Sequence, residues 1–442
     1  MLSADNETLT RVGPGTPMGK LMREYWIPAG LSSELTKGGS PLRVMLLGEK
    51  LVAFRDNGGR VGLLEHACPH RCASLFFGRN EPEGIRCAYH GWKFDVDGKC
   101  LDMPNVPPHQ DFKNRVTAKA YPTRERNGII YAYMGEAEVP PELPQIEALL
   151  LPEKDALLRA HQRGCNWLQS LEGDIDTSHF GFLHMGGVEP DQFEANDVHR
   201  FALTNKAPEY YLAETDWGAM YAAHRLADPG QIYYRVAHFV FPFWTLTPNG
   251  NLNDNVGVQG WVPMDDTHTM VFTIFYKGRK AALRALKNGE PVPGMEQEFY
   301  REPMTLFPNT SDWFGRFVPA RNMSNDFMID RDVQATKSYS GITSVAAQDH
   351  AMGESMGPIL DRTKEHLAPS DRMISMTRRR MLLAARAFDK EGITPPAARN
   401  PEVVHRARGG AFCAPDNLSW MEAYAEEVKR AENPTGVLRA AE

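Results

Sequence analysis

Glu172-Gly-Asp-Ile-Asp176-Thr-Ser-His179-Phe-Gly-Phe-Leu-His184 places two imidazoles, with acidic residues just upstream, on a run of helix-compatible residues. Ferrous iron that binds oxygen takes two His and one carboxylate on one face and leaves neighbouring coordination positions open. His179 and His184 are five residues apart, a spacing that on a regular α-helix turns the second side chain about 140° from the first. One metal needs both on the same side, so a π-bulge or a break is expected near Gly181. Single π-turns of this kind cluster at functional sites. Taken alone, the stretch also fits a helix with two unrelated histidines. A second metal motif upstream decides between the two readings.

That motif is Cys68-Pro-His70 followed, after sixteen intervening residues, by Cys87-Ala-Tyr-His90. Thiolate and imidazole in two such pairs suit either zinc or a Rieske [2Fe–2S] cluster, where two His replace two Cys on one iron. Zinc sites usually draw a Cys–Cys or a His–His pair from one loop. Here each loop carries one of each, so both sulfurs can meet one iron and both imidazoles the other. The second loop continues His90-Gly91-Trp92-Lys93-Phe94, with a glycine for close backbone approach and aromatics to shield a cluster. The Rieske reading is therefore preferred.

The chain has 442 residues, 42% of them hydrophobic and 10% aromatic, with a formal net charge of −7. This length suggests two or three domains. Without a long basic run, the acidic balance argues against nucleic acid as a partner. No apolar stretch approaches the length of a membrane span. The first residues, Met1-Leu-Ser-Ala-Asp-Asn-Glu, carry no basic n-region or apolar h-region. Six cysteines in a chain this long form no disulfide framework, so a cytoplasmic protein with cysteines assigned to metal is expected.

Along the chain, Thr16–Trp26 reads as a short helix with Pro17 in its first turn. Strands are expected at Arg43–Leu47, Leu51–Arg55 and Val61–Leu64, with Asp56-Asn-Gly-Gly59 as a hairpin turn. The β-rich part ends at Gly128–Met134, and Val139-Pro-Pro-Glu-Leu-Pro144 reads as a linker. This gives a cluster domain at 1–140, with its core at about 40–136, and a second domain at 141–442. The second domain opens with a strand at Ala156–Arg163 and a metal-bearing helix from Asn166 to Leu183. Alternating segments at Tyr210–Glu214, Met220–Leu226, Ile232–Phe241, Val256–Pro263 and Thr269–Tyr276 form one antiparallel sheet. Helices are expected at Arg279–Lys287, Gln348–Leu360, Asp371–Lys390 and Ser419–Glu432. Arg378-Arg-Arg380 reads as a solvated helix face or a subunit contact, and Glu172 as a further acceptor near the metal or an N-terminal helix charge.

The two motifs together resemble the oxygenase (alpha) subunit of the Rieske non-haem iron aromatic-ring-hydroxylating oxygenases, over nearly the whole chain. Val12-Gly-Pro-Gly-Thr-Pro-Met18 and Gln348-Asp-His-Ala-Met-Gly-Glu-Ser-Met-Gly-Pro358 are similar to the phthalate 4,5-dioxygenase branch. One departure is Cys72, where family members commonly carry Gly. It is read as a packed thiol, with Cys100 the remaining candidate for a disulfide partner. The resemblance implies an α+β fold: a β-rich Rieske domain, then a helix-grip (START-like) catalytic domain. It implies Cys68, His70, Cys87 and His90 as cluster ligands, with His179 and His184 on the mononuclear Fe(II). Asp326, Asp330, Asp332 and Asp349 are all candidates for the third ligand, and the family pattern favours Asp349. His350 beside it is not needed by a 2-His–1-carboxylate site. Asp176 is expected to link an iron-ligand His to a cluster-ligand His across a subunit boundary, as a carboxylate accepting from two imidazoles can.

The activity this implies is oxygen activation, with O₂ entering an aromatic carboxylate by cis-dihydroxylation. A dinucleotide fingerprint and a ferredoxin-type cysteine run are both missing from the sequence, so a separate NAD(P)H-dependent reductase is implied. The resemblance further implies a homotrimer, or a hexamer of stacked trimers. Phthalate-branch enzymes act on aromatic carboxylates, so a cationic anchor is expected. Arg200, Arg225 and Arg235 lie in the sheet region, with Arg225 and then Arg200 preferred. O-demethylation of a methoxylated acid is the rival enzyme reading, and a pure Rieske electron carrier is the rival from another class.

Overall fold

The computed structural model describes residues 1–279, 285–296 and 304–440. Thr16 caps the second of two short N-terminal helices, α1 (Ser3–Thr10) and α2 (Pro17–Arg23), its hydroxyl accepting from Gly19 N at 3.2 Å. Pro17 takes the first helical position, where its missing N–H costs nothing. The helix stops at Arg23, because Trp26 already pairs in a strand.

The cluster-bearing part is built from three small antiparallel sheets. One joins β1 (Trp26–Leu31) to β10 (Ile129–Tyr133) and β9 (Thr123–Arg126). A meander of β2 (Leu42–Leu46), β3 (Glu49–Arg55) and β4 (Val61–Glu65) forms the second. Its hairpin is closed by Asp56, whose carboxylate accepts from Arg60 N at 2.8 Å, and by Gly59 at φ +92°. The third runs β5 (Arg79–Glu81), β6 (Gly84–Arg86), β7 (Lys93–Phe94) and β8 (Cys100–Asp102). The Cys68–Cys72 loop lies between β4 and β5, and the Cys87–Gly91 loop joins β6 to β7. Phe54, Leu64, Leu75, Ile85 and Phe94 pack beneath these loops in a core of their own.

The remainder is organised by an eight-stranded antiparallel sheet. Its order is β11 (Ala156–Arg163), β17 (Thr269–Tyr276), β16 (Gly257–Pro263), β15 (Trp244–Leu246), β14 (Gln231–Val240), β13 (Gly218–Leu226) and β12 (Glu209–Thr215). The strand β18 (Gly410–Pro415) pairs with β14 beside the short β15. Helices α3 (Trp167–Asp174), α4 (Phe201–Thr204), α5 (Arg331–Thr336), α6 (Val345–Ser355), α7 (Arg372–Glu391) and α8 (Trp420–Arg430) surround it. Among the described residues, no helix is long and apolar enough to cross a membrane.

Several expectations change. The helix expected from Asn166 to Leu183 breaks after Asp174, and a separate π-helical turn spans Phe180–His184. The helix expected from Gln348 begins three residues earlier, which puts Asp349 in its second turn. Most of the helix expected at Arg279–Lys287 lies outside the described residues. Cys72 is exposed at φ +59°, not packed, and Cys100 is a buried free thiol. The left-handed backbone at Cys72 explains why glycine is at home there.

Glu172 and Arg378 are corrected together. Arg378 is buried, and Glu172 accepts from both Arg378 (2.6 Å) and Arg362 (2.9 Å). Glu365 pairs with the other side of Arg378 at 2.6 Å. Burial opposes ionisation of Glu172, and the two guanidiniums overcome it, holding its carboxyl below the usual value. Two acids and two bases thus tie α3 to α7 inside the protein. Glu172→Ala leaves the buried Arg362 guanidinium without a carboxylate and Arg378 with Glu365 alone, and is expected to cost about 3–5 kcal/mol, read as a lowered urea midpoint. An unshifted midpoint would mean that Glu365 and water suffice.

Candidate metal centres and substrate cavity

The π-turn answers the spacing problem. Adding one residue per turn brings His179 and His184 to the same side, with their Nε2 atoms 3.1 Å apart. Asp349 Oδ1 lies 3.1 Å from His184 Nε2 and 3.6 Å from His179 Nε2. Two ligand atoms about 2.1 Å from one metal and at right angles stand about 3 Å apart, so the three donors fit a single ion. Their chemistry, two imidazoles and a carboxylate, is that of ferrous iron with open positions.

The outer nitrogens are also engaged. His179 Nδ1 meets Asp176 Oδ2 at 3.2 Å, and Asp176 Oδ1 accepts from Ser178 N at 2.7 Å and Ser178 Oγ at 2.9 Å. Burial pulls the His179 imidazole down, but the Asp176 hydrogen bond and charge raise it to about 9. His184 Nδ1 donates to Gln348 Oε1 at 2.6 Å, while Gln348 Nε2 donates to Gly294 O and Ile342 O. The amide orientation follows, since only its oxygen is left for the imidazole. Both histidines therefore keep Nε2 for a metal. The sequence reading missed Gln348, whose signal was its place beside Asp349 on α6.

Asp174 was missed as well. It accepts from Thr245 Oγ1, Gln259 Nε2 (2.6 Å) and Trp261 Nε1 (3.3 Å), groups of β15 and β16. Burial first, and then the Asp349 charge, push its carboxyl up to about 6 against those donors.

The cluster loops are folded back on themselves. Cys72 N donates to Cys68 O at 2.9 Å, and Gly91 N to Cys87 O at 3.0 Å. Both cysteines are buried, and burial, followed by lesser contributions that include neighbouring Cys87, pushes the Cys68 thiol up to about 12. The His70 and His90 rings meet at 4.4 Å, and His70 stacks on Trp92 at 4.4 Å and 13°. Trp92 is held by a 2.8 Å bond from Nε1 to Asn105 Oδ1. Gly91 sits at φ +77°, and a Cβ there would strike Pro104. His90 Nδ1 is buried without a hydrogen-bond partner, which a metal bond would satisfy. Two inner thiols and two facing imidazoles fit a Rieske [2Fe–2S] cluster.

A cavity opens beside the triad, lined by His161, His199, Arg235, Asn249, Gln259 and His350 among others. Arg225 and Arg200 are not in its wall. Arg225 is buried one step along the sheet, bonded to Asn205 O at 2.6 Å, and Arg200 pairs with Asp228 at 3.1 Å near the surface. Arg235 occupies the place expected of them. A second cavity shares Asp176, His179 and Asp349 and reaches Met352, Met356 and Leu367.

The Rieske [2Fe-2S] domain family matches residues 25–122, and the family described as LigXa C-terminal domain like matches 132–433. The 3-chlorobenzoate-3,4-dioxygenase oxygenase subunit of Comamonas testosteroni is 49% identical, covering 97% of this chain and 99% of its own. The phthalate 4,5-dioxygenase oxygenase subunit of Pseudomonas putida is 36% identical, over 87% of this chain and 86% of its own. In fold the chain is similar to a mutant of Pseudomonas putida CBB5 NdmA solved with caffeine (TM-score 0.55, 18% identity, 91% of this chain and 99% of that one). An iron–sulfur β-domain followed by a sheet-and-helix catalytic domain is the architecture of a terminal oxygenase component. The chain belongs to the Rieske non-haem iron aromatic-ring oxygenases as an oxygenase alpha subunit, a class that uses a Rieske [2Fe–2S] cluster and a mononuclear iron.

Asp349→Ala is expected to empty the mononuclear site while leaving the visible spectrum of the cluster unchanged. Gln348→Leu should keep the ligands but lower iron affinity about 10–100-fold, measured by competition with a chelator. Full iron in both variants would place the carboxylate ligand elsewhere.

Proposed function

We propose that this chain hydroxylates a substituted benzoate, holding the substrate carboxylate on Arg235 with the ring toward His179, His184 and Asp349. The observation that carries the reading is Arg235 itself. It is buried, lines the same cavity as the triad, and has no carboxylate within ion-pair distance among the described residues. Its Nε donates to Thr177 Oγ1 at 2.7 Å, and its guanidinium lies over the Phe180 ring at 4.4 Å. Thr177 and Phe180 flank His179, so the anchor and the metal-bearing turn are fixed to each other. A buried cation of this kind is costly unless an anion completes it, and an arginine fork suits a carboxylate.

His179, His184 and Asp349 would hold the mononuclear Fe(II), and Cys68, His70, Cys87 and His90 the cluster. Bound there, the two centres supply electrons and an oxygen-activating iron, so that both atoms of O₂ enter the ring as a cis-dihydrodiol. Asp176 orients His179 through Nδ1 and faces both cavities. That placement supports a trimer in which a neighbour's cluster domain docks at the second cavity. Its rim exposes Met352, Met356 and Leu367, and the cluster end exposes Phe77 and Tyr89. We take the domain boundary at residue 140 and a separate NAD(P)H-dependent reductase as part of the same reading.

The test is coupled NADH and O₂ consumption over substituted benzoates, 3-chlorobenzoate included, with product analysis. A dihydrodiol or catechol is expected, whereas formaldehyde from a methoxybenzoate would make the enzyme an O-demethylase. Arg235→Met should raise the apparent substrate KM about tenfold or more with iron intact, since a charged hydrogen bond contributes roughly 1.5–3 kcal/mol. Unchanged affinity would remove the carboxylate anchor from this cavity and count against the benzoate reading. Cys87→Ser and His179→Ala protomers, each inactive, should regain a fraction of wild-type turnover when co-assembled. Mixed trimers without turnover would mean that electrons stay within one chain.

A further inference from the structure

Beside Arg235 the cavity wall carries a second buried group, His199, which the reaction as proposed does not use. It is 3% exposed and sits on a 3₁₀ turn, Val198–Arg200, capped by Asp197, whose carboxylate accepts from His199 N at 2.9 Å. Its Nδ1 lies 3.3 Å from the hydroxyl of Tyr233, which is fully buried on β14 two residues before Arg235 and so on the same face of the sheet. Among the described residues, His199 Nδ1 is the acceptor within hydrogen-bond distance of that hydroxyl, so Tyr233 donates to it and the neutral imidazole carries its own proton on Nε2. Burial first, and then the Arg235 charge, hold the ring neutral.

No partner stands within hydrogen-bond distance of the buried His199 Nε2, and the Asn251 side chain, which raises the imidazole, is outweighed by burial and the Arg235 charge. An unsatisfied buried N–H is rare in a folded protein and calls for an explanation. A carboxylate on Arg235 provides one, because its second oxygen would be an acceptor on the same stretch of wall.

We propose that His199 Nε2–H is a second donor to the substrate carboxylate, so that Arg235 and His199 each bind an oxygen and together select carboxylates over carboxamides. This rests on the benzoate reading of the cavity. A carboxamide of the same shape offers one acceptor and one donor, so its NH₂ would face one of two N–H groups. A site built wholly of donors rejects it by leaving a polar group unpaired.

The experiment uses the holoenzyme without reductase, so that no turnover occurs. Binding of 3-chlorobenzoate and 3-chlorobenzamide is measured by calorimetry for wild type, His199→Leu, His199→Gln, Tyr233→Phe and Arg235→Met. His199→Leu should weaken benzoate binding about tenfold and narrow the benzoate-to-benzamide preference by a similar factor. His199→Gln, whose amide N–H reaches a comparable place, should recover most of both. With reductase added, His199→Leu should raise KM about tenfold while kcat stays within about threefold. Tyr233→Phe keeps the imidazole but frees its tautomer, and should weaken benzoate binding severalfold with iron retained. Should His199→Leu fail to fold, this variant decides, and unchanged benzoate affinity in it overturns the inference. If Arg235→Met loses benzoate while His199→Leu binds it like wild type, Arg235 acts alone and the inference fails with the benzoate reading intact. If neither substitution weakens benzoate, the benzoate reading itself is lost.

Discussion

The grip of the sheet on Asp174 is what the catalytic half depends on. At the last residue of α3, one half-buried carboxylate accepts from Thr245, Gln259 and Trp261. Trp261 also donates to Thr245 Oγ1 at 2.9 Å, so the donors brace one another. This fixes where the helix ends and where Ile175 leads out. Only four residues further on, His179 starts the tighter geometry that aligns the two imidazoles. Without the anchor the helix could run on, and a regular continuation would turn His184 away from His179.

From that fixed point the site is built by removing choices. Asp176 takes one nitrogen of His179 and Gln348 takes one nitrogen of His184, leaving Nε2 of each. Gln348 and Asp349 are neighbours on α6, so the residue that orients one imidazole positions the carboxylate facing it. Gln348 is itself pinned by the carbonyls of Gly294 and Ile342. Outer bonds of this kind fix the direction in which each donor points, as a site that could hold a metal ion requires.

Much of this was legible in the sequence where local chemistry dominates. The five-residue spacing of the histidines called for a π-bulge or a break, and the strands expected at Ala156–Arg163 and Thr269–Tyr276 are β11 and β17 to the residue. What stayed hidden depends on partners distant in the chain. Arg378 reads as part of a surface charge run because nothing local shows that Glu172 and Glu365 meet it inside. The strands β15 and β18 are too short and too irregular in pattern to announce themselves. Arg225 and Arg235 look alike in sequence, and strand register separates them. Arg225 lies opposite Tyr233, whereas Arg235 lies opposite Ala223, two residues nearer the metal-bearing turn on the same face. A one-dimensional reading can name the inner arginines but cannot measure their distance from His179.

The charges around the cavity show why such an arrangement is kept. Asp174, Asp176 and Asp349 gather at the metal end, and Arg225 and Arg235 stand buried along the sheet. Burial first, and then the neighbouring Arg235 charge, lower the Arg225 guanidinium to about 10. Carboxylates in excess at one end favour a cation there, and arginines in excess favour an anion beyond it. Under the benzoate reading each ligand supplies the charge that the surrounding protein lacks. On that reading the electrostatic cost of these groups in the folded chain would be returned as binding energy for iron and for a carboxylate substrate. The same reading would order the substrate end to end, carboxylate toward Arg235 and ring toward the triad, because the reverse orientation would set the anion against Asp176 and Asp349.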